Sequence, residues 1–159
     1  MQRLIFILLC CLSFTVNASE PLNLQWQDLI PQSEKDLYEK IGLAQLNGEE
    51  IDFNESQFGQ TRAELNGSQV RIPGFVIPLQ SNANTVTELL LVPFYGACLH
   101  VPAPEPNQII YVKFAQGAPL PEMWEVVYVQ GQLKTQSNSH ELAETGYLMQ
   151  ATKIEKYQE

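Results

Sequence analysis

The sequence predicts a mainly β fold, a small five-stranded barrel preceded by one helix, and three observations point to it. Past Asn66-Gly67 the chain reads as short runs rich in Val, Ile, Leu and Tyr, separated by Gly, Pro and polar clusters. Several of these runs are apolar on both faces, as strands covered on two sides are. Bend signals recur inside them, at Pro73-Gly74, Pro78 and Gly131, and bends let a short sheet curl until it closes.

Taking the elements in order, Met1-Gln2-Arg3 places one positive charge before the apolar run Leu4–Leu12, and Val16 and Ala18 supply the small residues of a cleavage site. Residues 1–18 are therefore read as a cleaved signal peptide. The run is shorter than the ~20 residues of a membrane-spanning helix, so no integral membrane segment is expected after cleavage. Export predicts a periplasmic protein. Cleavage also removes Arg3, Cys10 and Cys11, leaving 8 basic against 18 acidic residues, a formal charge of -10, and Cys98 as the one remaining cysteine. No internal disulfide can form.

Residues 19–66 are expected to hold one helix and an acidic loop. Trp26, Leu29 and Ile30 tie the start of this segment to the body of the domain. Ser33-Glu34-Lys35-Asp36 resembles a capping box, Leu37, Ile41 and Ala44 recur at helical spacing, and Gly48 is a natural stop. A helix of about three turns fits. From Glu49 to Asn66 the chain is polar and short of apolar residues, so a loop is predicted.

Residues 67–159 supply the strands and form one domain with the preceding segment. They are predicted at Gln69–Leu79, Val86–Val92, Ile109–Phe114, Trp124–Leu133 and Gly146–Tyr157. In the first, Val70, Ile72 and Val76 face one way and Phe75, Ile77 and Leu79 the other. In the last, Tyr147, Met149 and Ala151 alternate before the phase shifts to Ile154, which predicts a bulge near Thr152-Lys153. The strand count and spacing resemble an OB-type barrel, with a two-sheet β-sandwich as the alternative. Such barrels often bind nucleic acid. Here the net charge of -9 repels phosphate and no basic groove is visible, so no nucleic-acid partner is expected.

Chemistry concentrates between Pro93 and Gln108. Cys98 and His100 stand two residues apart, and on extended backbone they would share a face, where a thiolate and an imidazole suit Zn²⁺ or a copper ion. Two donors do not close a zinc site, and His140, Glu105, Glu88, water or another chain are the candidates to complete it. The same pair can be read as a thiol activated by a histidine, giving a thiol-reactive or redox-sensing protein, or as a purely structural pair. Pro102, Pro104 and Pro106 hold the chain extended and remove amide donors. That stiff loop, with Asn107 and Gln108 at its exit, could present a partner-binding surface or simply close a long connection. No G-x-S-x-G, H-E-x-x-H, C-x-x-C or P-loop signature occurs.

The blocks Gly74-Phe75-Val76-Ile77-Pro78-Leu79 and Glu88–Pro102, the latter containing Gly96-Ala97-Cys98-Leu99-His100 and followed by Pro106-Asn107-Gln108, resemble an uncharacterised domain-of-unknown-function family of exported bacterial proteins. The resemblance runs from about Trp26 to Ile154. It implies an accessory role beside ABC-type transporter systems, in some cases linked to zinc limitation. The expectation is a non-enzymatic periplasmic protein that binds a transition metal, zinc first, through Cys98 and His100 and works with an envelope transporter. The alternative is a partner-binding barrel that uses the Pro-rich loop.

Overall fold

The computed structural model describes residues 20–97, 103–122 and 124–158. The predicted signal peptide at 1–18, and Cys98, His100 and Pro102, lie outside the described residues. In chain order the elements are the two-residue strand β1 (Leu22–Asn23), the helix α1 (Gln32–Asn47), β2 (Gln69–Ser81), β3 (Thr85–Val92), β4 (Ile110–Pro119), β5 (Val127–Lys134), the short pair β6 (Asn138–Ser139) and β7 (Glu144–Thr145), and β8 (Tyr147–Lys156).

Five of these strands close a barrel in the order β2-β3-β4-β8-β5 and back to β2. All neighbours are antiparallel except β4 and β8, which run parallel from Ile110 against Tyr147 to Phe114 against Ala151. Closure with one parallel seam is the OB-like arrangement and not a sandwich of two open sheets. β2 makes closure possible because it serves two partners in turn. Gln69–Gly74 pairs with β5 and Phe75–Ser81 pairs with β3, so the corner falls at the predicted Pro73-Gly74 bend. A side chain at Gly74 would place its first carbon 2.8 Å from the Val92 carbonyl oxygen, so the close approach of the two strands there requires glycine.

The segment before α1 closes what β3 leaves open. β1 pairs in parallel with Val70 and Arg71, Leu24 N–H donates to the Arg71 carbonyl at 2.9 Å, and the Trp26 indole N–H donates to the Pro73 carbonyl at 2.7 Å. Backbone acceptors along the first half of β2 are thus satisfied. Leu29, fully buried, continues the plug, and the fully buried Tyr147 donates its hydroxyl to the Leu29 carbonyl and accepts from Arg62 N–H.

The predicted alternation holds on both faces. Val70, Ile72, Leu89, Leu91, Val112 and Met149 are among the residues that fill the barrel. Their neighbours of opposite phase, Ile77, Leu90 and Val92, point outward into a second apolar cluster with Ala97, Ile109 and Ala143. The run Leu89–Val92 is apolar throughout because it builds two cores at once. The bulge expected near Thr152 is also present: Gln130 pairs with Lys153 but Gly131 with Ala151, so Thr152 is looped out of the ladder.

Several boundaries differ from the sequence reading, three of them for reasons that are visible in the structure. The helix starts at Gln32, with Pro31 in the capping position and its carbonyl accepting from Glu34 and Lys35, so Ser33 lies inside the first turn and makes no capping box. The third strand runs on to Pro119, because residues 114–117 form a wide bulge opposite Thr87 and pairing resumes at Ala118. The fourth begins at Val127, and Trp124 is 70% exposed before it. Gly48 ends α1 in the left-handed conformation, φ 69°, as expected.

Gly131 and Gly42 should respond to alanine in opposite directions. A methyl at Gly131 would overlap the Gln150 carbonyl oxygen and lie 2.6 Å from the Ala151 Cα, so Gly131→Ala should lower the stability measured by urea unfolding by about 1–3 kcal/mol. Gly42 sits in the helix with no described residue's atom within 4 Å of an added Cβ, and Gly42→Ala should raise stability by about 0.5–1 kcal/mol. An unchanged midpoint for Gly131→Ala would contradict the tight β5–β8 seam.

Candidate functional site

The Cys98–Pro102 stretch is framed at both ends by described residues. On the entry side, β3 ends at Val92, Gly96 turns the chain with φ 82°, and Ala97, fully buried, enters the outer apolar cluster. Phe94 and Tyr95 remain exposed, with Tyr95 edge-on to Phe75 at 6.1 Å between ring centres. Cys98 follows Ala97 directly in the sequence.

On the exit side, Glu105 holds extended backbone close to polyproline II, φ -55° and ψ 148°, as the alternating prolines predict. Pro106-Asn107-Gln108 then forms a single tight turn that is clamped from several directions. The Pro106 carbonyl accepts from Gly146 N–H, and the Pro106 ring packs on Gly59, where an added Cβ would lie 2.6 Å from the Pro106 Cδ. Asn107 has no exposed surface. Its amide donates to Glu34 Oε2 at 2.9 Å and to the Gln60 carbonyl at 3.0 Å, while Gln60 N–H donates to the same Glu34 oxygen. Gln108 donates to the Trp26 carbonyl.

Glu34 is the joint of this arrangement. It is 2% exposed and sits in the first turn of α1, where the positive end of the helix favours an acid. Oε2 accepts from both Asn107 and Gln60. One turn along the helix, burial and the nearby carboxylates of Glu34 and Glu105 push the Tyr38 phenol above its ordinary pKa.

The face beneath the loop entrance carries a second polar group. Glu88 on β3 accepts from the Tyr111 hydroxyl and, at 3.3 Å, from the Lys113 ammonium. The Tyr111 hydrogen bond, then Lys113, and more weakly His140 hold the Glu88 carboxyl below its ordinary value. Tyr111 also packs against the apolar cluster that holds Ala97 and Ala143, and His140 N–H donates to the Ala143 carbonyl. Glu88 and His140, two of the donors expected to complete a metal site, therefore lie within electrostatic reach of each other on the face where Ala97 is anchored. Glu105, another such donor, lies instead on the exit side beside Gly59. Among the described residues no three His, Cys, Asp or Glu side chains converge as a metal cluster.

Of the residues singled out for partner binding, Asn107 spends its side chain internally, Gln108 is partly buried and bound to backbone, and Pro104 and Pro106 are partly exposed. The structural role of Glu34 was missed in the sequence, where it reads as one acid among many.

Fold and site together define a closed OB-like barrel carrying one loop anchored at both ends, with no helix among the described residues long and apolar enough to cross a membrane. The chain belongs to the DUF3299 family, described as proteins of unknown function, which it matches over residues 26–156. It is similar to a DUF3299 family protein from Pseudomonas aeruginosa PAO1 whose crystal structure is solved at 2.45 Å. The two are 35% identical over 88% of this chain and 98% of the other, with a TM-score of 0.67. No curated protein matches it.

Two outcomes follow from the geometry. Asn107→Ala strips Glu34 of a buried donor and should lower stability in urea unfolding by about 1–3 kcal/mol. Adding Glu34→Leu should recover part of the loss, since the uncompensated charge is then gone. Strictly additive losses would contradict the pairing. For Glu88, whose carboxyl is ordinarily half-protonated near 4.5 and is held lower in the fold, the stabilisation is present above 4.5 and is lost as pH falls through the lowered value. The thermal midpoint of Glu88→Gln should therefore trail that of the parent at pH 7 and converge with it in acid. A constant gap would contradict the linkage.

Proposed function

We propose that this protein is a non-enzymatic accessory component of the bacterial periplasm that binds a transition metal, zinc first, through Cys98 and His100, and works with an envelope transporter system. The supporting observation is the anchoring of the loop that carries them: Ala97 is buried at one end and Asn107 at the other, which limits how much ordering a bound ion would have to impose. A thiolate and an imidazole suit zinc, which brings Lewis acidity and no redox chemistry of its own. Glu88 and His140, on the face where Ala97 is anchored, are candidates to add donors, and the Tyr111 and Lys113 bonds to Glu88 are of the kind that orient a ligand carboxylate.

Native mass spectrometry of the chain from Ser19 with limiting Zn²⁺ tests this. One bound zinc per chain is expected for the parent and none for Cys98→Ala/His100→Ala. Absence of zinc, or equal loading of both proteins, would overturn it.

A second reading rests on Phe94 and Tyr95, exposed at the loop entrance. They suit a partner-binding loop in which Cys98 and His100 are structural. In that case zinc has no effect, and replacing Pro102, Pro104 and Pro106 by Ser abolishes crosslinking to the partner.

A further inference from the structure

We infer that the C-terminal half of α1, around Leu43 and Leu46, is a docking surface for a cationic amphipathic helix of another protein. The helix buries only Glu34 and Ala44, while Leu46 is 85% exposed and Leu43 55%; Tyr38, 44% exposed, packs its ring on Phe58 at 5.0 Å between centres. Two leucines so open, three residues apart on one helix, are more than the scattered apolar exposure of an ordinary surface. They are also arranged. Tyr38, Gly42 and Leu46 follow along the row that starts at the buried Glu34, with Leu43 beside them, and among the described residues a Cβ built on Gly42 meets nothing within 4 Å. Gly42 is thus a notch between Tyr38 and Leu46, open to a side chain from outside.

Charge decides the occupant. Asp36 and Glu39 on the helix, Glu49 and Glu50 just beyond it, and Asp52 and Glu55 in the following loop are exposed, against Lys35 and Lys40. Among the described residues none of these six carboxylates is in an ion pair, whereas Glu88, Glu125 and Glu155 each have a lysine partner. An apolar row bordered by unpaired carboxylates complements a helix with leucine-type side chains on one face and Lys or Arg beside them. A second copy of this chain, with its charge of -9, an anionic membrane surface or a nucleic acid would each meet like charge at the rim. The partner helix lays its apolar side chains on Leu43, Leu46 and the Gly42 notch, and its cations reach the surrounding acids.

Fluorescence anisotropy with a labelled synthetic leucine/lysine amphipathic helix tests the surface, using a leucine/glutamate peptide of the same pattern as control. The parent protein should bind the lysine peptide saturably and the glutamate peptide not at all. Leu43→Ser/Leu46→Ser, whose altered side chains are exposed and whose thermal midpoint should match the parent, should weaken binding about tenfold. Equal binding by this variant would mean charge attraction alone and would overturn the assignment. Failure of the lysine peptide to saturate, or a parent dimer that the double substitution dissolves in sedimentation analysis, would overturn it as well. Cys98→Ala/His100→Ala should bind the peptide like the parent, so this result and the zinc result stand or fall separately.

Discussion

The hydrogen bonds that Asn107 and Gln60 give to the buried Glu34 carboxylate hold three parts of the chain in one place. Glu34 comes from the helix, Gln60 from the acidic loop, and Asn107 from the turn that ends the site loop just before β4. A carboxylate this enclosed is stable only while its donors stay, so the turn, the loop and the helix cannot drift independently. Glycine makes the junction close enough to form. Gly59, at φ 72°, lets the Pro106 ring lie against the backbone, and Gly146 brings its N–H to the Pro106 carbonyl. An acid in the first helical turn also meets the positive end of the helix, which offsets part of the cost of burying it.

The barrel contributes the other anchor through its double-sided strands. Leu89 and Leu91 fill the interior while Leu90 and Val92 build an outer cluster, and Ala97 is drawn into that cluster as soon as β3 ends. The entrance of the loop is therefore held by apolar packing and its exit by hydrogen bonds. The two anchors differ in their response to conditions: the first weakens on cooling, and the second on loss of a single donor.

Strand positions were legible in the sequence because alternation and bend residues are local signals. The Pro73-Gly74 corner, the Thr152 bulge and the two-faced Leu89–Val92 run all appear where the pattern puts them. Patterns that compete locally misled: Ser33 has the chemistry of a cap, yet the Pro31 carbonyl starts the helix two residues earlier. The site joint could not be read at all. Glu34 and Asn107 are 73 residues apart, and only closure of the barrel, with β4 beside β8, brings the Asn107 turn against Gly146 and the helix. The exposure of Leu43 and Leu46 was equally hidden, since helical spacing does not tell which apolar residues find a partner.

In the proposed metal site the thiolate of Cys98 is the defining ligand. X-ray absorption at the zinc edge of the zinc-loaded chain addresses that ligand directly. A sulfur shell at about 2.3 Å with nitrogen at about 2.0–2.1 Å is expected, the sulfur disappearing in Cys98→Ser. A zinc coordinated only by nitrogen and oxygen in the parent protein would contradict the account.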